Sequence, residues 1–348
     1  MSTEPRAAMP TSSLIVPRRV LLWERVREQV PIGLLAIASA LIVAMLGIIL
    51  GNIAWNGAGQ ITMEFLTTAP RAGMTEGGIF PAIFGTVALV LLMTIAAVPI
   101  GVATAVYLRE FVPGSNLAYA WARARAARSW RERLREGKHV LEILLAQATR
   151  AAVNNLAGVP SIVFGLFGLG FFVRFVGGGI DRVFYGGELT YGQPAIIWAA
   201  LTLALLTLPV VIVSTDEALR AVPRELREAS LALGATRWQT IWRIVLPEAL
   251  PGILTGAILA VSRGAGEVAP VLFTGAAYFL PYLPSRLNDQ FMELGYHVFI
   301  LSTQSPDVEK TKPLLYGTVL VLLALTFALN LVAVLIRSRV RRRLRLRT

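Results

Sequence analysis

No cysteine occurs anywhere in the sequence, which excludes disulfides, thiolate metal ligands and thiol nucleophiles together. Histidine is almost as scarce. His139 and His297 are the only two, too few for a histidine metal centre or an acid–base pair. Charged residues are also few, 16% of 348, where an ordinary soluble domain has about a quarter. The sequence contains no Gly-x4-Gly-Lys-Ser/Thr run, so the chain has no phosphate-cradling loop of its own for ATP.

Long apolar runs stand where the charge is missing, and 55% of the residues are hydrophobic. Six runs reach the roughly 20 residues that cross a hydrocarbon core. They lie near Pro31–Leu50, Ile79–Tyr107, Asn155–Phe175, Pro194–Ser214, Leu250–Gly275 and Leu314–Ile336. The expected fold is an all-α polytopic membrane protein with six transmembrane helices. The first run lacks a small-residue cleavage pattern and is expected to be retained as a span.

The basic residues orient these runs. Of 33 Lys and Arg, 26 fall in the two tails and the second and fourth loops, and five in the other loops. Positive charge collects on the cytoplasmic side, so both termini are expected there. This divides the chain into a cytoplasmic tail over 1–29, a membrane domain over 30–337 and a basic tail over 338–348. Topology accounts for the net charge of +12, so no nucleic-acid partner is expected.

Two segments inside this frame are unusual. In Gly158–Phe172, Pro160, Gly165 and Gly168 suit either tight helix packing or the wall of a solute path. The second loop, 113–150, is basic and amphipathic. From Asn116 to Glu136 its apolar residues, Trp121 and Trp130 among them, recur at spacings of three and four between arginines. One amphipathic helix ended by Gly137 is expected, either lying on anionic membrane lipid or solvated in the cytoplasm.

The fourth loop carries "RELREASLALGATRWQTIWRIVLPEALPG" (Arg224–Gly252). Pro223 suits a helix start, and Gly234 supplies a positive φ for a turn. Thr236 and Gln239 have capping-box spacing for a second helix through Leu246, which Pro247 and Pro251 are expected to close. Leu231, Leu233, Trp238, Ile241 and Trp242 would line one side of this elbow. Such an elbow suits helix-in-groove docking on a cytoplasmic partner.

"EASLALGATRWQTIWRIVLP" resembles the EAA signature of ABC importer permeases. Glu228, Ala229, Gly234, Ile244, Leu246 and Pro247 fall in register, with Ser230 where the family favours Ala. "LAGVPSIVFGLFGLGFFVR" and "SRGAGEVAPVLFTGAA" are similar to phosphate importer permeases, and Gly266, Glu267, Ala269 and Pro270 to the PstA type in particular. "FLTTAPR", "GGIFPAIFGT" and Asp289–Gln304 point the same way. The likeness spans about 65–112 and 154–337 and is weakest over 113–150.

The resemblance implies a type I ABC importer permease fold in a bacterial or archaeal inner membrane. It makes 216–247 the coupling loop for a nucleotide-binding ATPase dimer, and ATP and Mg would bind that partner, leaving this chain without a cofactor. It further implies a PstC-type second permease subunit and an extracytoplasmic phosphate-binding protein. Sulfate or molybdate importers share the elbow and remain alternatives. A channel or receptor without an ATPase would leave it unexplained, and an intramembrane enzyme would lack His or Cys in its spans.

Arg263 and Glu267 lie four apart in the fifth run and are expected on one helix face. Arg263 falls about 20 Å into that run, at about 1.5 Å per residue. Intramembrane charges mark solute paths, and the guanidinium fork suits phosphate. A purely structural pair is the competing reading. Arg174, at the end of the third run, is expected to snorkel to the interface.

Overall fold

The computed structural model describes residues 18–112, 117–126, 129–305 and 307–345. Residues 1–17 of the expected tail, Ala127 and Arg128 lie outside them. Two compact units are distinguished, Met1–Trp55 and Asn56–Thr348. The first holds most of helix α1 (Arg18–Gly57).

The second unit contains α2 (Phe80–Val106, prolonged by a π turn over Tyr107–Phe111), α3 (Leu117–Ala126), α4 (Trp130–Leu156) and α5 (Ser161–Phe184). Then follow α6 (Ile196–Ala221), α7 (Arg224–Ala232), α8 (Arg237–Gly264), α9 (Ala269–Thr274), α10 (Leu294–Thr303) and α11 (Val308–Arg345). A two-residue antiparallel pairing, Pro70–Arg71 with Glu76–Gly77, folds the segment before α2.

Six of the described helices are long and apolar enough to cross a membrane, one for each expected run. α6 is the most enclosed, with 67% of its most apolar window buried. Its small residues Ala199, Ala200 and Ala204 meet Leu89, Val90, Met93 and Ala97 of α2. In lipid, apolar side chains gain little by leaving hydrocarbon, so close van der Waals fit must hold helices together. The glycines of α5 serve that fit. A Cβ at Gly165 would stand 2.9 Å from the Ala269 carbonyl oxygen, and one at Gly168 would meet Thr202 and Thr274. Thr202 and Thr207 donate back to the Trp198 and Leu203 carbonyls, so these two buried hydroxyls are satisfied within α6 itself.

Three boundaries differ from expectation. The third span begins at Ser161, because α4 continues to Leu156 and Pro160 starts a new helix. The fifth run is broken: α8 ends at Gly264, and α9 restarts at Ala269 with Pro270 in its first turn, where a missing N–H costs nothing. The second loop is a pair of helices, and Gly137 lies inside α4. Ser129 and Glu132 form a capping box that starts α4, while a lone Gly costs only about 1 kcal/mol within a long helix. Arg123 Nη2 to Glu136 Oε1, at 3.0 Å, ties the pair together.

Candidate functional site

The elbow forms at the C-terminal ends of α2 and α6. Gly234 follows α7 with φ +85°, in the left-handed region, and nothing stands within 4 Å of its would-be Cβ. Thr236 Oγ1 accepts from Gln239 N at 3.2 Å, and Gln239 Oε1 accepts from Thr236 N at 2.9 Å. Ser230, the departure from the family's Ala, hydrogen bonds Thr240 across the elbow at 2.9 Å.

The second arm of the elbow does not close at Pro247. It runs on as the fifth span, one helix over Arg237–Gly264. A π turn over Ile241–Val245 directly before Pro247 shifts the hydrogen-bond register, which lets the helix absorb its prolines. Glu228, Ala229 and Gly234 are exposed at the free end, and Ile244, Leu246 and Pro247 are half-buried at the root. Of the apolar residues expected along one side, Ile241 is buried, while Leu231, Leu233, Trp238 and Trp242 are exposed.

Sequence reasoning missed the fastening of the elbow. Arg227 Nη2 lies 3.1 Å from Glu110 Oε1, in the π turn that ends α2. The same guanidinium donates to the Leu219 and Val222 carbonyls at 2.7 and 2.9 Å, filling acceptors that the end of α6 leaves open. Phe111 packs near Trp238, ring centroids 6.4 Å apart. The available signal was Glu110, an acid at the start of a basic loop.

Arg263 and Glu267 come together, but not on one helix. Arg263 is in the last turn of α8, Glu267 lies beyond the helix end, and Nε stands 3.4 Å from Oε1 across the break. Their side chains are 40% and 20% exposed, so the pair is not sealed inside the helix packing. Ser262, beside it, donates to Asn330 of α11 at 2.6 Å. The break also leans on α10, where a Cβ at Gly295 would meet Val268. Glu293 caps that helix, accepting from Gly295 N and Tyr296 N at 2.8 and 2.6 Å. Arg174 sits in a π-helical stretch of α5 and is exposed.

Asp289 shapes the loop before α10. It accepts from Ser285 N and Arg286 N, both at 2.8 Å, and from Ser285 Oγ at 3.1 Å. Burial works against its ionisation, but these bonds and the Arg286 charge hold the carboxyl below the usual range. Its carbonyl accepts from Ile196 N at 2.9 Å, which seats the loop on the first turn of α6.

Residues 143–346 match the family described as the binding-protein-dependent transport system inner membrane component. The chain is 30% identical over 299 residues to the probable ABC transporter permease protein YqgI of Bacillus subtilis, covering 82% of this chain and 87% of that one. It is 34% identical over 272 residues to the phosphate transport system permease protein PstA 1 of Mycobacterium tuberculosis, covering 78% and 73%. Among solved structures, a chain of a bacterial alginate ABC transporter, in complex with an alginate-bound periplasmic protein, shares the fold. Its TM-score is 0.52 at 16% identity, over 94% of this chain and 95% of that one. With the family match over more than half its length and six spans in a type I importer fold, the chain belongs to the inner membrane component family of binding-protein-dependent transport systems, the permease subunits of ABC importers.

Proposed function

We propose that the solute passed by this importer permease is inorganic phosphate, and that the chain forms half of the path beside a PstC-type second permease. An ATPase dimer on the elbow would hold ATP and Mg, an extracytoplasmic binding protein would deliver phosphate, and both termini would lie in the cytoplasm. The observation that carries the solute is Arg263. It is a half-exposed guanidinium at a helix break within the spans, offering a planar fork to a tetrahedral oxyanion. Glu267 occupies it between passages and yields as the anion arrives. The PstA relative supports the same solute.

The continuity of α8 supports the coupling. The elbow and Arg263 stand at opposite ends of one 28-residue helix, about 42 Å long at about 1.5 Å per residue. A push on Trp238 and Trp242 by the ATPase travels along this rod and tilts the end that holds Arg263. Arg227 keeps the other elbow helix fixed to α2 and α6, so α8 turns against a held frame.

Phosphate uptake in cells lacking other phosphate importers tests this, with membrane abundance checked for each variant. Arg263→Lys and Arg263→Gln should both lose uptake, since a point charge does not reproduce the fork. Near-normal uptake by Arg263→Gln combined with Glu267→Leu would make the pair structural and refute the path role. Inhibition by sulfate or molybdate as strong as by phosphate itself would shift the solute to another oxyanion.

A further inference from the structure

Helix α4 has two apolar faces, and the fold uses one. Val140, Ile143 and Ala146 are buried with Leu108 and Val112 at the end of α2, and Val153 joins a cluster with Ala105 and Ile212. On the opposite side, Trp130, Leu134, Leu141 and Leu145 follow at intervals of four, seven and four, which aligns them in one stripe. All four are exposed, Trp130 at 75% and Leu141 at 55%. The stripe is about 22 Å long at about 1.5 Å per residue. Exposed Arg131 and Lys138 run along its edge, and Arg135 and Glu142 stand further round the helix. Arg123 is taken up by Glu136 and only closes the α3–α4 pair.

We infer that the α3–α4 hairpin is a lipid-gripping arm whose Trp130–Leu145 stripe rests on anionic phospholipid of the inner leaflet. Three features select a lipid surface over a protein one. Indole and leucine edged by arginine and lysine match the headgroup boundary, where apolar groups reach acyl chains and cations meet phosphates. The helix is tied to the bilayer at its C-terminal end, since only Ala157–Pro160 separate Leu156 from the span α5. Trp121 of α3 is a second exposed indole on the same hairpin, with Arg125 5.9 Å from its ring centre.

The seat of the arm adjoins the seat of the elbow. Arg150 of α4 donates to the Leu108 carbonyl at 2.9 Å, and Leu108 and Val112 pack on α4. Between them, Glu110 and Phe111 hold Arg227 and Trp238 of the elbow. A pull on α4 therefore reaches the coupling elbow within one helical turn, and lipid contact tunes how well ATP hydrolysis drives transport.

The inner-leaflet assignment rests on the cytoplasmic placement of the second loop proposed above. The lipid contact does not rest on the solute. Because the chain has no cysteine, Trp130→Cys gives a unique spin-label position in this subunit within the assembled importer. The complex is placed in phosphatidylcholine vesicles with and without phosphatidylglycerol. With phosphatidylglycerol, collisions of the label with a water-soluble relaxing agent should fall severalfold and collisions with oxygen should rise. Adding Leu134→Glu and Leu141→Glu should abolish both changes, and with them any gain in solute-stimulated ATPase rate on adding the anionic lipid. Equal water access in both lipids overturns the proposal, as does a cross-link from position 130 to the ATPase, which makes the stripe a protein contact. Exposure of the label on the binding-protein side of sealed vesicles would show instead that the orientation has failed.

Discussion

Replacing Arg227 by methionine should release the elbow from the bundle. The change keeps the length of the side chain and removes the pair with Glu110 at 3.1 Å and the bonds to the Leu219 and Val222 carbonyls. Arg227 and Glu110 are 20% and 14% exposed at their side chains, so this is not the surface pair that is worth next to nothing. A hydrogen bond to a charged group is worth about 1.5–3 kcal/mol, and three on one guanidinium do not add in full. A loss of about 3 kcal/mol is reasonable, which shifts elbow docking by roughly 150-fold. Hydrogen exchange of the 224–240 amides in the assembled importer reads this directly, as a protection loss of about that factor. Solute-stimulated ATPase should disappear while basal ATPase persists. Combining Arg227→Met with Glu110→Leu should recover part of the protection, because no charge is then left without its partner. Unchanged exchange and unchanged stimulation in Arg227→Met would refute the fastening and the held-frame account of coupling.

Gly234→Val should strain the elbow by about 1–2 kcal/mol through backbone alone, since no atom stands near its Cβ position, and Gly234→Asn should be milder. Uptake per membrane-inserted subunit should fall for valine and hold for asparagine; equal uptake in both would mean the turn is not under load. Asp289→Asn should loosen the loop before α10, visible as faster exchange at the Ser285 and Arg286 amides. The folded pKa of Asp289 is depressed, so its contribution is present above the ordinary carboxylate pKa and fades as pH falls below it; equal protection at neutral and acid pH would contradict this. Single cysteines at Glu76 and Glu188 should react with an impermeant maleimide in intact cells, and one at Gly137 only after permeabilisation. The reverse pattern would invert the proposed orientation.

The sequence by itself determined what depends on local rules. Twenty apolar residues in a row can satisfy their backbone in lipid only as a helix, so the number of spans follows from counting. The turn at Gly234 and the box of Thr236 with Gln239 are set by neighbours three residues apart, and both formed. Ser129 and Glu132 carried the same kind of signal for the start of α4, while Gly137, read as a stop, was absorbed in a long helix.

Only the tertiary structure decided how these pieces meet. Arg227 and Glu110 are 117 residues apart, and no periodicity links them. The break after Gly264 falls where Arg263 and Glu267 lower the hydropathy, but a dip of that kind does not distinguish a broken helix from a continuous one carrying an ion pair. The break exists where α9 packs on Gly165 and Gly168 of α5. Helix α4 carries apolar residues on two opposite sides, and pattern alone cannot tell which of them the bundle covers. The burial of Val140, Ile143 and Ala146 on α2 settles that choice and leaves Trp130–Leu145 outside, since a helix can press only one side against the bundle.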